Sequence, residues 1–471
     1  MEICLISSES YTFFKNLVGV IFLIDLIYFT PWLQMMFGNA YQRNSFIKNK
    51  ATTFLFFFVW MLSCFNIILQ NNAFTGFFIL SLIFRFFYIE SRNTNLFRGG
   101  GAVGIIPALL VSYLTIIEFM NLISLAWINS QYLLYIMIMH IGLIMLDSSI
   151  NKMTSGFFSN QGFQFAFFNP FWSYWSSVSQ LRKLPYNFWK IVNFIIPLNQ
   201  FFFALLIIFP PYQYLGILSL GFGFTLLTFI VRLGTLTILI SCLITLFFNF
   251  SSFEFTYEYI PINDLYSNLN VIVLISGMIY LFILVFGQLL VWLNFYFSFF
   301  LWKPIQNLFD TINWHFPILI WRVFTPDVVN LYCKIYEVHS NGKKILLNIP
   351  FNELSFNSNI FTNLRFFNVA ESCVLSSIFN SYKYNNKNYT SFVNKIKQYC
   401  STLTPHLYKI ESSIEFVVYH IVIRENKSPL DFTISKWEYD GINVTRTFIN
   451  KDLHAPISSF IRPYRGLGSY N

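Results

Sequence analysis

The chain has 471 residues, of which 55% are apolar and only 11% charged, and its mean hydropathy is +0.55. A soluble domain carries about 25% charged residues, so a soluble globular protein is excluded and a membrane protein is expected. The net charge of +9 then assigns the cations to anionic headgroups or acidic partners, with no nucleic acid among the expected partners.

Aromatic residues reach 21% of the chain, with 60 Phe. No packing rule demands so much Phe; richness in Phe, Ile, Tyr, Asn and Lys points to an AT-rich coding genome, such as that of an organelle or a parasite. The opening MEICLISSESYTFFKN has neither an Arg-rich amphipathic presequence nor a signal-peptide pattern, as expected of a protein made inside a mitochondrion. The six cysteines (Cys4, Cys64, Cys242, Cys333, Cys373, Cys400) form no CxxC pair, which argues against a zinc site or a redox pair.

Hydropathy predicts about nine spans. The first is Asn16–Phe37, with Asp25 inside and Pro31 near its end. Thr52–Gln70 and Ala73–Ile89 follow, joined by a turn at Asn71-Asn72. Then comes Arg98 beside Gly99-Gly-Gly-Ala-Val-Gly104, which reads either as a phosphate cradle at a helix start or as a turn. The fourth span, about 102–128, carries Glu118. The fifth, Tyr132–Met153, holds His140 at mid-depth and ends in Asp147-Ser-Ser with Lys152 beyond. A carboxylate near hydrocarbon costs about 2.5–3.5 kcal/mol, so Asp147 needs a partner or water. Lys152 is the nearest cation. This end is either a helix terminus reaching into the headgroups or the lining of a polar pocket.

The aromatic loop Thr154–Pro185, with Arg182 and Lys183, is expected at the membrane interface. Spans six to nine are about Trp189–Phe209, Tyr212–Ile230, Leu233–Phe250 and Leu269–Trp302. Alternation collects Arg43, Lys48, Lys50, Arg92, Arg98, Lys152, Arg182, Lys183, Arg232 and Lys303 on one side, and Glu254, Glu258 and Asp264 on the other. By the positive-inside rule the cationic side is the matrix, with the N-terminus opposite it.

Residues 1–320 therefore form the transmembrane domain and 321–471 a matrix-side α+β domain. From Arg322 on, 17 Lys and Arg face 11 Asp and Glu, a surplus of 6 out of the total +9. Asn341-Gly342 and Asp440-Gly441, each between alternating apolar runs, predict two β-hairpins. Val369–Tyr382 and Tyr389–Leu403 read as helices, and a basic tail closes the chain.

Two stretches carry a family resemblance. Leu143-Ile-Met-Leu-Asp147-Ser-Ser-Ile-Asn-Lys152-Met resembles a helix-end motif of the HTTM family, the transmembrane domains related to vitamin K-dependent gamma-carboxylase. Gly162 stands where that motif has its later Gly. Trp321-Arg-Val-Phe324-Thr-Pro326-Asp327 resembles the junction that opens the β domain of the same family, with Val323 in place of Met. The resemblance implies a helical membrane domain followed by a β domain. The catalytic Lys of the carboxylase has no assigned counterpart, so that activity is not carried over. In its coding style and many spans, the chain is also similar to membrane subunits of respiratory complexes encoded by ciliate mitochondrial DNA.

Haem and copper sites in a membrane need several His on facing helices, and only His140 lies in a predicted span. It reads as a packed, hydrogen-bonded histidine, the alternative being a metal ligand. Arg232, in VRLGTLTILIS, is distantly similar to the arginine helix of ATP synthase subunit a. There Glu118 and Asp147 would be proton relays, but the family's Asn and His partners are missing, and the span count puts Arg232 at a loop. The expectation is a non-catalytic structural subunit of a mitochondrial respiratory complex, with cytochrome c oxidase favoured. The alternatives are a proton-channel subunit and an HTTM-type enzyme with an intramembrane pocket. No cofactor or metal is expected. Phospholipids such as cardiolipin, held by Arg98, Arg182 and Lys183, and neighbouring subunits are the expected partners.

Overall fold

The computed structural model describes residues 2–32, 50–93, 104–122, 127–154, 162–170, 172–249, 254–255, 259–261, 268–297, 304, 331–347, 371, 374–375, 378–379, 389–404, 412–424 and 427–450. A short strand β1 (Glu2–Cys4) leads into α1 (Ser8–Phe29). This helix starts well before Asn16. Hydropathy placed the start at the apolar run, whereas the chain uses a local signal: the Ser7 side chain accepts the Ser10 N–H at 3.0 Å and caps the helix. Pro31 follows within a single 3₁₀ turn, Thr30–Trp32.

Then come α2 (Lys50–Ile68), α3 (Ala73–Asn93), α4 (Ile105–Leu122) and α5 (Trp127–Thr154). The α2–α3 turn is where the Asn pair predicted it, and Asn72 Oδ1 accepts the Thr75 N–H at 3.0 Å. Two short helices, α6 (Gly162–Phe167) and α7 (Trp175–Leu181), precede α8 (Tyr186–Ile208) and α9 (Gln213–Thr228). The predicted eighth span is not one long helix. It comprises α10 (Thr235–Cys242), a 3₁₀ segment Leu243–Phe247 and strand β2 (Phe248–Asn249). Its continuous apolar run could not reveal that break.

Strands β3 (Glu254–Phe255) and β4 (Tyr259–Pro261) precede α11 (Asn268–Phe297). Among the described residues, four helical stretches are long and apolar enough to cross a bilayer: Ser8–Phe29, Ala51–Ile68, Ser130–Ile150 and Tyr186–Ile208. Among the described residues, Ala73–Phe87, Ile106–Leu122, Thr235–Phe247 and Ile272–Gly287 are shorter apolar helices. These are the helices of a membrane protein. Their outward faces carry large apolar side chains such as Phe54, Leu82, Ile191, Phe222 and Phe282, the reverse of a soluble surface.

Contacts sort the ends of α1, which is ~33 Å long at 1.5 Å per residue. At its N-terminal end β1 pairs antiparallel with β4. There the Gln131 amide exchanges hydrogen bonds with the Ile6 backbone at 3.0 and 2.8 Å, and Ser10 Oγ donates to the Phe248 carbonyl at 2.6 Å. At its C-terminal end the Trp32 ring stacks on Tyr399 of the C-terminal domain, with centroids 6.1 Å apart.

The C-terminal domain is a five-stranded antiparallel sheet of β5 (Leu331–Val338), β6 (Lys344–Leu346), β7 (Ser413–Arg424), β8 (Lys427–Tyr439) and β9 (Val444–Ile449), in the order β6-β5-β7-β8-β9. Both predicted hairpins form. Gly342 (φ 76°) and Gly441 (φ 98°) take the left-handed conformation their turns require. Helix α12 (Tyr389–Leu403), at the predicted boundaries, lays Phe392, Ile396 and Tyr399 on the sheet face that carries Ile335, Phe416 and Trp437.

In the segment between α5 and α8, expected at the membrane interface, several aromatic rings turn into the protein. Phe163, Phe167, Phe168, Trp172 and Tyr174 are buried. Its backbone pairs with the α9–α10 link. Ser173 bridges Val231, the Tyr174 N–H donates to the Ile230 carbonyl at 3.3 Å, and the Arg232 N–H donates to the Trp172 carbonyl at 2.6 Å. Irregular backbone at such a position is tolerated because it is enclosed by protein.

Candidate functional site

The polar side chains buried in the helical bundle fall into separate groups, each built by long-range packing. Nearest β1, Lys15 Nζ of α1 lies 3.2 and 3.3 Å from the two carboxylate oxygens of Glu118 on α4, and the Tyr11 hydroxyl donates to the same carboxylate at 2.7 Å. All three residues are buried. Glu118 was read from the sequence as an intramembrane charge; its cation is Lys15, which hydropathy left outside the first span. Tyr11 and Lys15 are four residues apart and so share a helix face. That is the one local signal of this site.

Deeper in the bundle, the Tyr113 hydroxyl of α4 is 3.1 Å from Nδ1 of His140 on α5. The rings of Tyr113 and of Tyr280 on α11 meet the imidazole edge-on at 5.9 and 5.6 Å. Arg85 on α3 is close enough to act electrostatically on the Tyr280 hydroxyl.

Farther along α5, Lys152 Nζ donates to Ser148 Oγ at 3.2 Å and to Gln200 Oε1 of α8 at 2.7 Å. Asp147 and Lys152 are both buried. Five residues turn a helix by about 500°, which puts these two side chains about 140° apart; Ser148, four residues from Lys152, shares its face. His140 is ~10 Å from Asp147 along the axis and ~18 Å from Lys152. The three residues therefore do not gather at one point, and each tier has its own partners.

A further group lies at the α9–α10 break. Asp25 of α1 is buried and accepts a hydrogen bond from Thr235 Oγ1 at 3.0 Å, at the N-terminal end of α10. A helix N-terminus favours a carboxylate. Arg232 sits in the same link with its guanidinium 5.0 Å from the Tyr174 ring. It is 1% exposed, not the solvated loop residue that the span count implied. The inward fold of residues 172–174 covers it, and nothing local in the sequence signals that.

Arg182, expected at lipid headgroups, is held by protein. Its guanidinium pairs with both carboxylate oxygens of Asp431 on β8 at 2.8 and 3.1 Å, and it donates to the Phe168 carbonyl at 2.8 and 3.2 Å. Beside it the Asn169 amide donates to the Leu331 carbonyl of β5 at 3.1 Å. These contacts fasten the sheet to the connection between α5 and α8. Lys183 remains exposed. Arg98 and the junction residues Trp321, Phe324 and Pro326 lie outside the described residues.

In the C-terminal domain the Tyr399 hydroxyl donates to Glu371 at 2.6 Å, and both residues are buried. Burial pushes the thiols of Cys333 and Cys400 up, and lowers the Lys395 ammonium to about 8. The exposed Asp440 is held below the ordinary carboxylate value by the N–H groups of Asn443 and Ile442. Among the described residues, no group of three His, Cys, Asp or Glu side chains is placed to hold a metal ion.

Fold and site together define a predominantly helical membrane protein carrying a C-terminal sheet domain. No family model, curated protein or solved structure matches the chain.

Proposed function

We propose that this chain is a nine-pass, non-catalytic structural subunit of a respiratory-chain complex in the mitochondrial inner membrane. The N-terminus faces the intermembrane space and the C-terminal sheet domain faces the matrix. The observation that carries this reading is the distribution of polarity. Inside the bundle, Lys15–Glu118, Asp25–Thr235 and Lys152–Gln200 are hydrogen-bonded to one another and the Arg232 guanidinium lies over the Tyr174 ring, while the outer faces are aromatic and aliphatic. A scaffold needs this arrangement. An intramembrane enzyme needs its ionisable groups to converge on substrate.

The contacts also support nine crossings. Alternation puts β1, the start of α5, β2 and β4 on one side, and these are the elements joined by the β1–β4 pairing and by the Gln131 and Ser10 bonds. It puts Trp32, Arg182, residues 230–232 and the sheet domain on the other, and these are joined by the Trp32–Tyr399, Arg182–Asp431 and Tyr174–Ile230 contacts. The short path through α10 keeps its place in this count as a compact crossing enclosed by protein.

The proton-channel reading needs Arg232 presented to a rotor carboxylate on an outer face, and burial behind Tyr174 opposes it. Cytochrome c oxidase is the favoured complex, from the coding signature shared with ciliate mitochondrial subunits; phospholipids cover the aromatic faces that neighbouring subunits leave. The test is gentle extraction of native membranes, native electrophoresis and mass spectrometry of every band that contains this chain. Comigration with oxidase activity is expected. A separate small band free of respiratory subunits would overturn the assignment.

A further inference from the structure

His140 lies near the middle of α5 with no exposed surface. One ring nitrogen is accounted for, since Nδ1 meets the Tyr113 hydroxyl at 3.1 Å. The other, Nε2, is equally buried, and no described residue forms a hydrogen bond with it. In either neutral tautomer Nε2 is a strong donor or acceptor, and in an apolar interior such a group needs a partner.

The surroundings limit what that partner can be. The Tyr280 ring stands edge-on to the imidazole at 5.6 Å, and its hydroxyl feels the Arg85 charge. One turn away along both helices the Ile136 side chain of α5 packs directly on the α11 backbone. A Cβ built on Gly277 of α11 would stand 2.1 Å from Cδ1 of Ile136 on α5. The imidazole itself has no exposed surface. A ligand that is small, donates and accepts, and needs two or more polar partners is water.

We propose that one internal water molecule binds His140 Nε2 at the α5–α11 contact and carries the hydrogen bond on to the Tyr280 hydroxyl. Polar groups of three helices then meet at mid-depth: Tyr113 of α4, His140 of α5 and Tyr280 of α11. The water fixes the register of α11, which turns Ile272, Ile275, Ile279 and Phe282 outward, against the bundle. This inference does not depend on which complex holds the chain.

The test is a cryo-EM map of the native protein at a resolution that shows ordered internal water. A density about 3 Å from both His140 Nε2 and the Tyr280 hydroxyl oxygen is expected. A protein side chain on Nε2, density for a larger ligand, or a map with water at other buried sites and none here would overturn the proposal. The variant Tyr280→Phe keeps the ring and its edge contact. It is expected to lose the water density while the Tyr113–His140 bond remains. Unchanged density in that variant would overturn the bridge, and the wild-type map stands alone should the variant fail to assemble.

Discussion

The helical bundle and the sheet domain solve the same packing problem with opposite surfaces. In the sheet domain Ile335, Phe416, Val418 and Ile434 are inside, while Lys343, Asp440 and Thr445 face outward. In the bundle Lys15, Asp25, Glu118 and Arg232 are inside, while Phe54, Phe222 and Phe282 face outward. The difference identifies the solvent each half is built for. A water-facing domain hides apolar area; a lipid-facing one hides charge, because an ionisable group in hydrocarbon needs a partner. Lys15 and Glu118 meet across the bundle, as do Asp25 and Thr235, and Arg232 lies over the Tyr174 ring.

The comparison breaks most sharply at the Lys15–Glu118 pair. Replacing Glu118 with Leu strands a buried ammonium, and a loss of about 3–5 kcal/mol is expected, read as a lower melting temperature in detergent. The double variant Lys15→Met/Glu118→Leu should recover much of it. In the sheet domain the corresponding damage is a cavity. Ile335→Ala should cost about 2–5 kcal/mol by thermal unfolding, with no second-site charge variant able to restore it.

Lys395 sharpens the contrast, because it places a buried ammonium in the half built to hide apolar area. Its folded pKa, lowered to about 8 by burial, lies below the unfolded value. Charging it therefore opposes folding below pH 8, and the penalty fades as pH rises through 8 towards the unfolded value. Lys395→Met should stabilise the domain at pH 7 and should do so less at pH 10, as seen in melting curves at the two pH values.

Arg182→Ala breaks the join between the halves. About 1–3 kcal/mol of attachment should be lost, seen as faster proteolytic release of the sheet domain and, because the pair is partly exposed, as sensitivity of the wild type to salt. The smallest effect is at Asp440. Its depressed carboxyl pKa contributes stability above the ordinary carboxylate value and loses it as pH falls through the lowered one. Asp440→Ala should flatten only that acid limb of the stability profile.

Local chemistry was the legible part of this chain. Asn341-Gly342 and Asp440-Gly441 announce their turns, the Tyr389–Leu403 helix reads true at both ends, and the long apolar runs mark α2, α5 and α8. What could not be read is set by contacts across the chain. Glu118 finds Lys15 from 103 residues away, and Arg182 finds Asp431 from 249. Arg232 lies against a loop that a backbone bridge joins to Val231. The eighth apolar run conceals a helix break that hydropathy has no means of seeing. At α1 the two levels conflict, and the Ser7 cap outweighs the hydropathy profile.

The central claim is that the two halves face different solvents, with the sheet domain on the matrix side of nine crossings. Trypsin treatment of sealed mitoplasts tests it at the exposed Lys343-Lys344 turn. The account predicts that this turn is protected in intact mitoplasts and cleaved once detergent opens them. Cleavage there in sealed mitoplasts would contradict it.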